Sequence, residues 1–112
     1  MKTKTCGVTI HCKNDRMECV IGGDIDHHSA RSIRMKIDEE LYRIRPRVLM
    51  LDLSGVEFMD SSGLGLILGR FSKASEIGAE CILQNPNEQV TKILDVAGIG
   101  RLIRIERKKE NV

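Results

Sequence analysis

The chain has 112 residues, 41% hydrophobic and 30% charged, the balance of one globular domain whose core needs no disulfide or metal staple. The net charge of +2 comes from the last twelve residues, where Arg101, Arg104, Arg107, Lys108 and Lys109 outnumber Glu106 and Glu110, so the basic bias belongs to a solvated tail and not to a surface stripe. Tyr42, Phe58 and Phe71 are the only aromatic residues, too few to build a base-stacking platform, and binding to nucleic acid is not expected.

Val8-Thr9-Ile10-His11-Cys12 and Met17-Glu18-Cys19-Val20-Ile21 both alternate, with Asn14-Asp15 between them, and predict an N-terminal hairpin closed by Gly22-Gly23. Asp26 is placed to cap a helix over 27–44, with Ala30, Ile33, Ile37, Leu41 and Ile44 as one apolar stripe. Arg31, Arg34, Lys36, Asp38, Glu39, Glu40 and Arg43 form its wet face, and Pro46 stops it. Residues 47–53 make a dense apolar strand, expected to be central and buried on both faces.

A second helix is predicted over 61–77, with Leu64, Ile67, Leu68, Phe71 and Ala74 inward and Gly78 after its end. Gly65 and Gly69 lie inside it, where each costs about 1 kcal/mol against alanine. Such glycines serve close packing or the approach of another chain. Residues 80–84 form the next strand. Asn85 then caps a third helix, with Pro86 first and Glu88 third, and Val90, Ile93, Leu94 and Ala97 turned inward as far as Gly98. A last strand covers 102–105, and 107–112 is expected to fray. Strands alternating with helices predict a single α/β domain over 1–112. Its four- or five-stranded sheet is mostly parallel, with an antiparallel N-terminal edge strand and helices packed against it.

Cys6, Cys12, Cys19 and Cys81 show no two-residue spacing, and His11, His27 and His28 no ligand pattern, so neither a metal nor a redox motif is expected. No segment reads as a signal peptide or membrane span, and the expectation is a soluble, cytoplasmic monomer with reduced thiols.

The chemistry concentrates in Asp60-Ser61-Ser62-Gly63, a polar knot between an apolar strand and an apolar helix. It places two hydroxyls at the positive end of a helix, where free N–H groups favour an anion. One cap would suffice there, so three capping residues in a row leave two readings open: surplus capping, or a serine that carries phosphate. The segment lacks the Gly-x-Ser-x-Gly elbow of hydrolases and the phosphate-cradling Gly-x-x-x-x-Gly-Lys loop, and Gly63-x-Gly65 alone is weak. A catalytic residue is therefore not expected.

Phe58-Met59-Asp60-Ser61-Ser62-Gly63-Leu64-Gly65, followed by Ile67-Leu68-Gly69-Arg70, resembles the signature of bacterial anti-sigma factor antagonists of the STAS domain family. Gly23-Asp24-Ile25-Asp26-His27-His28-Ser29-Ala30 is similar to the family's passage from second strand to first helix, with Asp24 where members often carry glutamate. Leu94-Asp95-Val96-Ala97-Gly98-Ile99 is similar to the end of its last helix. The double histidine and the serine knot point to the branch serving the forespore sigma factor of sporulation.

The resemblance implies a binding module without a cofactor, whose partner is an anti-sigma factor that is also a serine kinase working with ADP or ATP. The unphosphorylated antagonist binds that kinase and frees the sigma factor. Phosphorylation on the serine before the glycine, Ser62 here, inactivates it, and a serine phosphatase restores it. Asp24, Asp26, His27, His28, Phe58, Met59, Asp60, Ser61, Ser62, Gly63, Leu64 and Gly65 are then the expected partner contacts. Met59 and Phe58 can alternatively be core packing under the loop, and His27 and His28 plain helix-end surface. The alternative function is a STAS regulator of a general stress-response sigma factor or stress-signalling complex.

Overall fold

The computed structural model describes residues 7–108, and the expected element order holds within them. Strands β1 (Gly7–Lys13) and β2 (Arg16–Gly22) lead to helix α1 (His27–Ile44), then β3 (Val48–Gly55), α2 (Ser61–Glu76), β4 (Glu80–Gln84) and α3 (Glu88–Val96). A 3-10 turn, Ile99–Arg101, precedes β5 (Arg104–Glu106). The sheet order is β1-β2-β3-β4-β5, antiparallel between the first two strands and parallel thereafter.

Local chemistry explains the corners. Asn14 and Asp15 both adopt positive φ (52° and 63°), the two-residue turn whose twist matches a hairpin. α1 ends with Arg45 in the left-handed region (φ 51°), its N–H donating to Leu41 O at 2.9 Å, and Pro46 prevents continuation. Gly78, at φ 76°, turns the chain after α2 as a glycine can without penalty.

Because the strands follow each other across the sheet, right-handed crossovers put all three helices on one face. Met17, Cys19 and Ile21 of β2, Leu49, Leu51 and Leu53 of β3, and Cys81 and Leu83 of β4 point into the core on that side. Ile33, Ile37 and Leu41 of α1 meet them as the stripe requires. The opposite face of β3 carries Val48, Met50 and Asp52, with only Met50 buried, beneath Arg16 Nη1 at 3.9 Å from its sulfur. β3 is the central strand as expected, but its burial is complete on the helix side alone, since Met50 is the one buried side chain of β3 on the other face. Burial pushes the thiols of Cys19 and Cys81 up to about 12, so both stay protonated and inert near neutral pH. Cys12 is exposed, and Cys6 lies outside the described residues.

Four further expectations change. The buried face of α2 is Gly63, Leu66, Ile67, Arg70 and Ala74, while Leu64 and Phe71 sit at its margin and Leu68 is 37% exposed. The stripe is rotated because Arg70 is tolerated facing α1, with its Nε 2.8 Å from Asp38 Oδ1. The cap of α3 is Asn87, not Asn85. Asn87 Oδ1 accepts from Val90 N at 2.7 Å, and its Nδ2 donates to Val56 O (3.1 Å) and Glu57 O (3.2 Å), holding the loop before α2. Asn85 instead adopts φ 55° and accepts at Oδ1 from Lys108 N at 2.7 Å. Ala97, expected inward, is exposed as the C-cap of α3. The tail is held at its start: Arg107 donates to Pro86 O (3.0 Å) and Thr91 Oγ1 (2.9 Å), while 109–112 lie outside the described residues.

Candidate functional site

Two strand-to-helix loops, 23–26 after β2 and 56–60 after β3, meet at one edge of the parallel sheet. Gly23 N donates to Gly55 O at 2.9 Å, Ile25 N to Phe58 O at 3.0 Å, and Asp60 N to Ile25 O at 3.2 Å. Ile25 and Met59 thereby form an isolated parallel bridge, so the two motifs that stood 30-odd positions apart are laced into one platform. Parallel sheets gather such loops at the carboxyl ends of their strands.

Asp26 opens the first helix with a complete capping box. Its carboxylate accepts from Ser29 N at 2.9 Å, and its own N–H donates to Ser29 Oγ at 2.9 Å. The Ser29 amide first, and then the Ser29 hydroxyl, which donates to Asp26 Oδ1 at 3.1 Å, hold the Asp26 carboxyl below the usual carboxylate range. Asp24 is exposed and its carbonyl accepts from Ser29 Oγ at 3.2 Å. His27 and His28 are the first two residues of α1, both exposed.

Asp60 caps α2, with Oδ1 accepting from Ser62 N at 2.8 Å. One of the three capping residues therefore does the capping. Ser61 is fully at the surface, and Ser62 is half-buried in the first turn with its side chain on the wall of an open groove. Gly63 is buried, and a Cβ there would stand 2.7 Å from Met59 Cβ and 2.8 Å from its sulfur. The glycine is thus required by close approach of Met59, which is 1% exposed. Met59, expected among the partner contacts, instead has its side chain in the core beneath the knot, out of a visitor's reach. Its neighbour Phe58 is 52% exposed and presents its ring to solvent. Gly65 and Gly69 have open space around the Cβ position, so neither serves close packing within this chain.

Gly63→Ala is expected to destabilise the protein by about 1–2 kcal/mol, the overpacking cost of up to about 3 kcal/mol less the better helix propensity of alanine. Urea unfolding measures it, and an unchanged midpoint would contradict the packing argument.

The groove, of about 510 Å³, runs between α1 and α2, with Ser62 and Gly65 on one wall and His27, Arg31 and Arg34 on the other. Arg31 and Arg34, on the wet face of α1, are the site residues that the motifs do not mark. Arg31 follows His27 by four positions and Arg34 follows Arg31 by three, the signal that the three share one side of α1.

The sequence profile described as the STAS domain matches residues 10–112. The chain belongs to the STAS domain family. This STAS domain is 35% identical over 91 residues to an anti-sigma F factor antagonist of Paenibacillus polymyxa, covering 81% of this chain and 78% of that one. It is 32% identical over 90 residues to an anti-sigma-B factor antagonist of Bacillus subtilis, covering 80% and 81%. Among solved structures, the anti-sigma factor antagonist SpoIIAA in its unphosphorylated form aligns with a TM-score of 0.80 at 27% identity, over 93% of this chain and 90% of that one. The phosphorylated form of the Bacillus cell fate determinant SpoIIAA aligns at 0.74 and 26%, over 93% of each. The expected fold, mixed sheet and antiparallel edge included, is therefore the fold of this family. No helix among the described residues is long and apolar enough to cross a membrane.

Proposed function

We propose that this STAS domain is an anti-sigma factor antagonist controlled by phosphorylation of Ser62. In its unphosphorylated form it binds a cytoplasmic anti-sigma factor with serine kinase activity and releases the sigma factor. The γ-phosphoryl group of ATP held by that kinase then passes to Ser62 Oγ, which gives up its proton, and ADP leaves. The modified antagonist dissociates until a serine phosphatase hydrolyses the ester. The domain supplies the acceptor and the recognition surface and performs no catalysis of its own.

The observation that carries this reading is the position of Ser62, which lines an open groove at the start of α2 while Asp60 does the capping. The likeness to anti-sigma factor antagonists, one of them known in both phosphorylation states, supports it. Phosphoserine adds about −1.5 to −2 charge near pH 7, and a helix N-terminus accommodates that charge without refolding. The partner surface is proposed to comprise the platform of both loops: Asp24, Asp26, His27, His28, Phe58, Asp60, Ser61 and the first turn of α2. The forespore-type partner is favoured by the F-factor relatives, at 35% and 36% identity, over B-factor relatives at 23–32%.

Incubation with the F-type anti-sigma kinase and ATP, followed by mass-spectrometric mapping, is expected to find one phosphate, on Ser62. Phosphate found only on Ser61 would overturn the acceptor. Transfer by a B-type kinase alone would move the protein to the stress-response alternative.

A further inference from the structure

Among the described residues, Arg31 and Arg34 are cations without a counter-ion. Among the described residues neither takes part in a hydrogen bond or ion pair, although both line the groove that Ser62 opens into. The acidic groups around them are committed elsewhere. Asp38 faces Arg70, Asp26 is bonded to Ser29, and Asp60 is turned onto the Ser62 amide. Arg34 also adds to the positive field at Arg70, which Asp38 opposes. Glu57 lies on the loop before the knot and is not among the groove's lining residues. Gly65, one turn past Ser62, leaves the wall of the groove smooth, with no atom within 4 Å of where a Cβ would stand.

We propose that this groove is a phosphate receptor in cis. A phosphoryl group on Ser62 enters it and is bound by the guanidinium groups of Arg31 and Arg34, with His27 beside them. The chemistry is that of arginine for a phosphate dianion, bidentate and charge-assisted. The consequence is a switch with two parts. The phosphate fills space that a partner would use, and it occupies cations that a partner's acidic groups would otherwise meet. The proposal rests on Ser62 being the acceptor, but its test does not need the kinase.

The test uses the full chain with phosphoserine installed at position 62 during translation, and follows the phosphorus NMR shift through a pH titration. Two neighbouring arginines favour the dianion, so the second phosphate pKa falls below its ordinary value near 6. A depression of about 0.5 unit or more is expected. In R31Q/R34Q the depression shrinks to the part that the N-terminus of α2 supplies by itself. In R101Q, which removes a cation outside the groove, the depression persists. Circular dichroism of each variant checks the fold, which both exposed arginines can lose without disturbing the core. A titration identical in the wild-type background and R31Q/R34Q overturns the receptor. If the arginines instead serve only an acidic segment of the partner, R31Q/R34Q weakens partner binding while leaving the titration unmoved, and the proposal falls. Kinase-borne phosphate mapped to another serine removes the functional reading and leaves this chemistry to stand or fall on the titration.

Discussion

Ser62→Asp is expected to weaken binding to the anti-sigma kinase by about tenfold or more, a loss of about 1.4 kcal/mol, and Ser62→Ala to leave binding within about twofold. The physical difference between the two is charge at the mouth of the groove. Alanine removes a hydroxyl that has no protein hydrogen-bond partner among the described residues, so nothing in the domain is left unsatisfied. Aspartate introduces a carboxylate at the same place, beside Arg31 and Arg34 and at the N-terminus of α2. The domain itself tolerates it, because the helix end favours an anion. The partner meets a filled groove and neutralised arginines. Ser62→Ala also abolishes phosphate transfer, since the acceptor oxygen is gone. Isothermal titration calorimetry with the kinase and nucleotide measures both variants. Equal affinity of Ser62→Asp and the unmodified protein would remove charge and bulk at Ser62 as the basis of the switch.

The largest effect on stability is expected at the contact between the first two helices. Arg70 is 3% exposed, and its Nε lies 2.8 Å from Asp38 Oδ1. The contact is an ion pair without good hydrogen-bond alignment, and Nη1 of Arg70 is buried with no protein partner. Burial accordingly pulls the guanidinium below its usual pKa range while Asp38 opposes the shift. Asp38→Ala leaves a buried cation without its counter-ion and is expected to cost about 3 kcal/mol, the lower end of the cost for breaking a buried pair. The reduced figure reflects the Asp38 side chain, which keeps 22% of its surface in water. Arg70→Met should cost less, because Asp38 can rehydrate and methionine fills the slot with an unbranched apolar chain. Asp38→Ala combined with Arg70→Met should recover most of the loss from Asp38→Ala alone. Denaturant unfolding of the cycle reads the coupling directly. A double variant no more stable than Asp38→Ala would show that packing, not the unpaired cation, sets the cost.

Much of this protein is legible before folding. The hairpin turn at Asn14-Asp15, the cap at Asp26, the helix stop around Pro46 and the glycine after α2 are each decided by a few adjacent residues, and each occurs where the sequence puts it. The serine knot is legible for the same reason, as a strand end, a cap and a helix start in succession. Errors arise where neighbours compete. Asn85 and Asn87 are both competent caps, and Asn87 wins because its amide also ties down Val56 O and Glu57 O. Apolar periodicity misses the inward face of α2 because it cannot register an arginine whose counter-ion lies 32 positions earlier on another helix.

The sequence by itself determined the order of elements, the mostly parallel sheet and the serine at the start of the second helix, because periodicity, caps and turns act over a few residues. Only the tertiary structure decided that Met59 lies beneath the knot while Phe58 faces water, that Gly63 is needed for Met59, and that Arg31 and Arg34 share a groove with Ser62. Those facts depend on how α1 and α2 settle side by side on the sheet. That arrangement sums many weak contacts between distant positions, and no short stretch of chain encodes it.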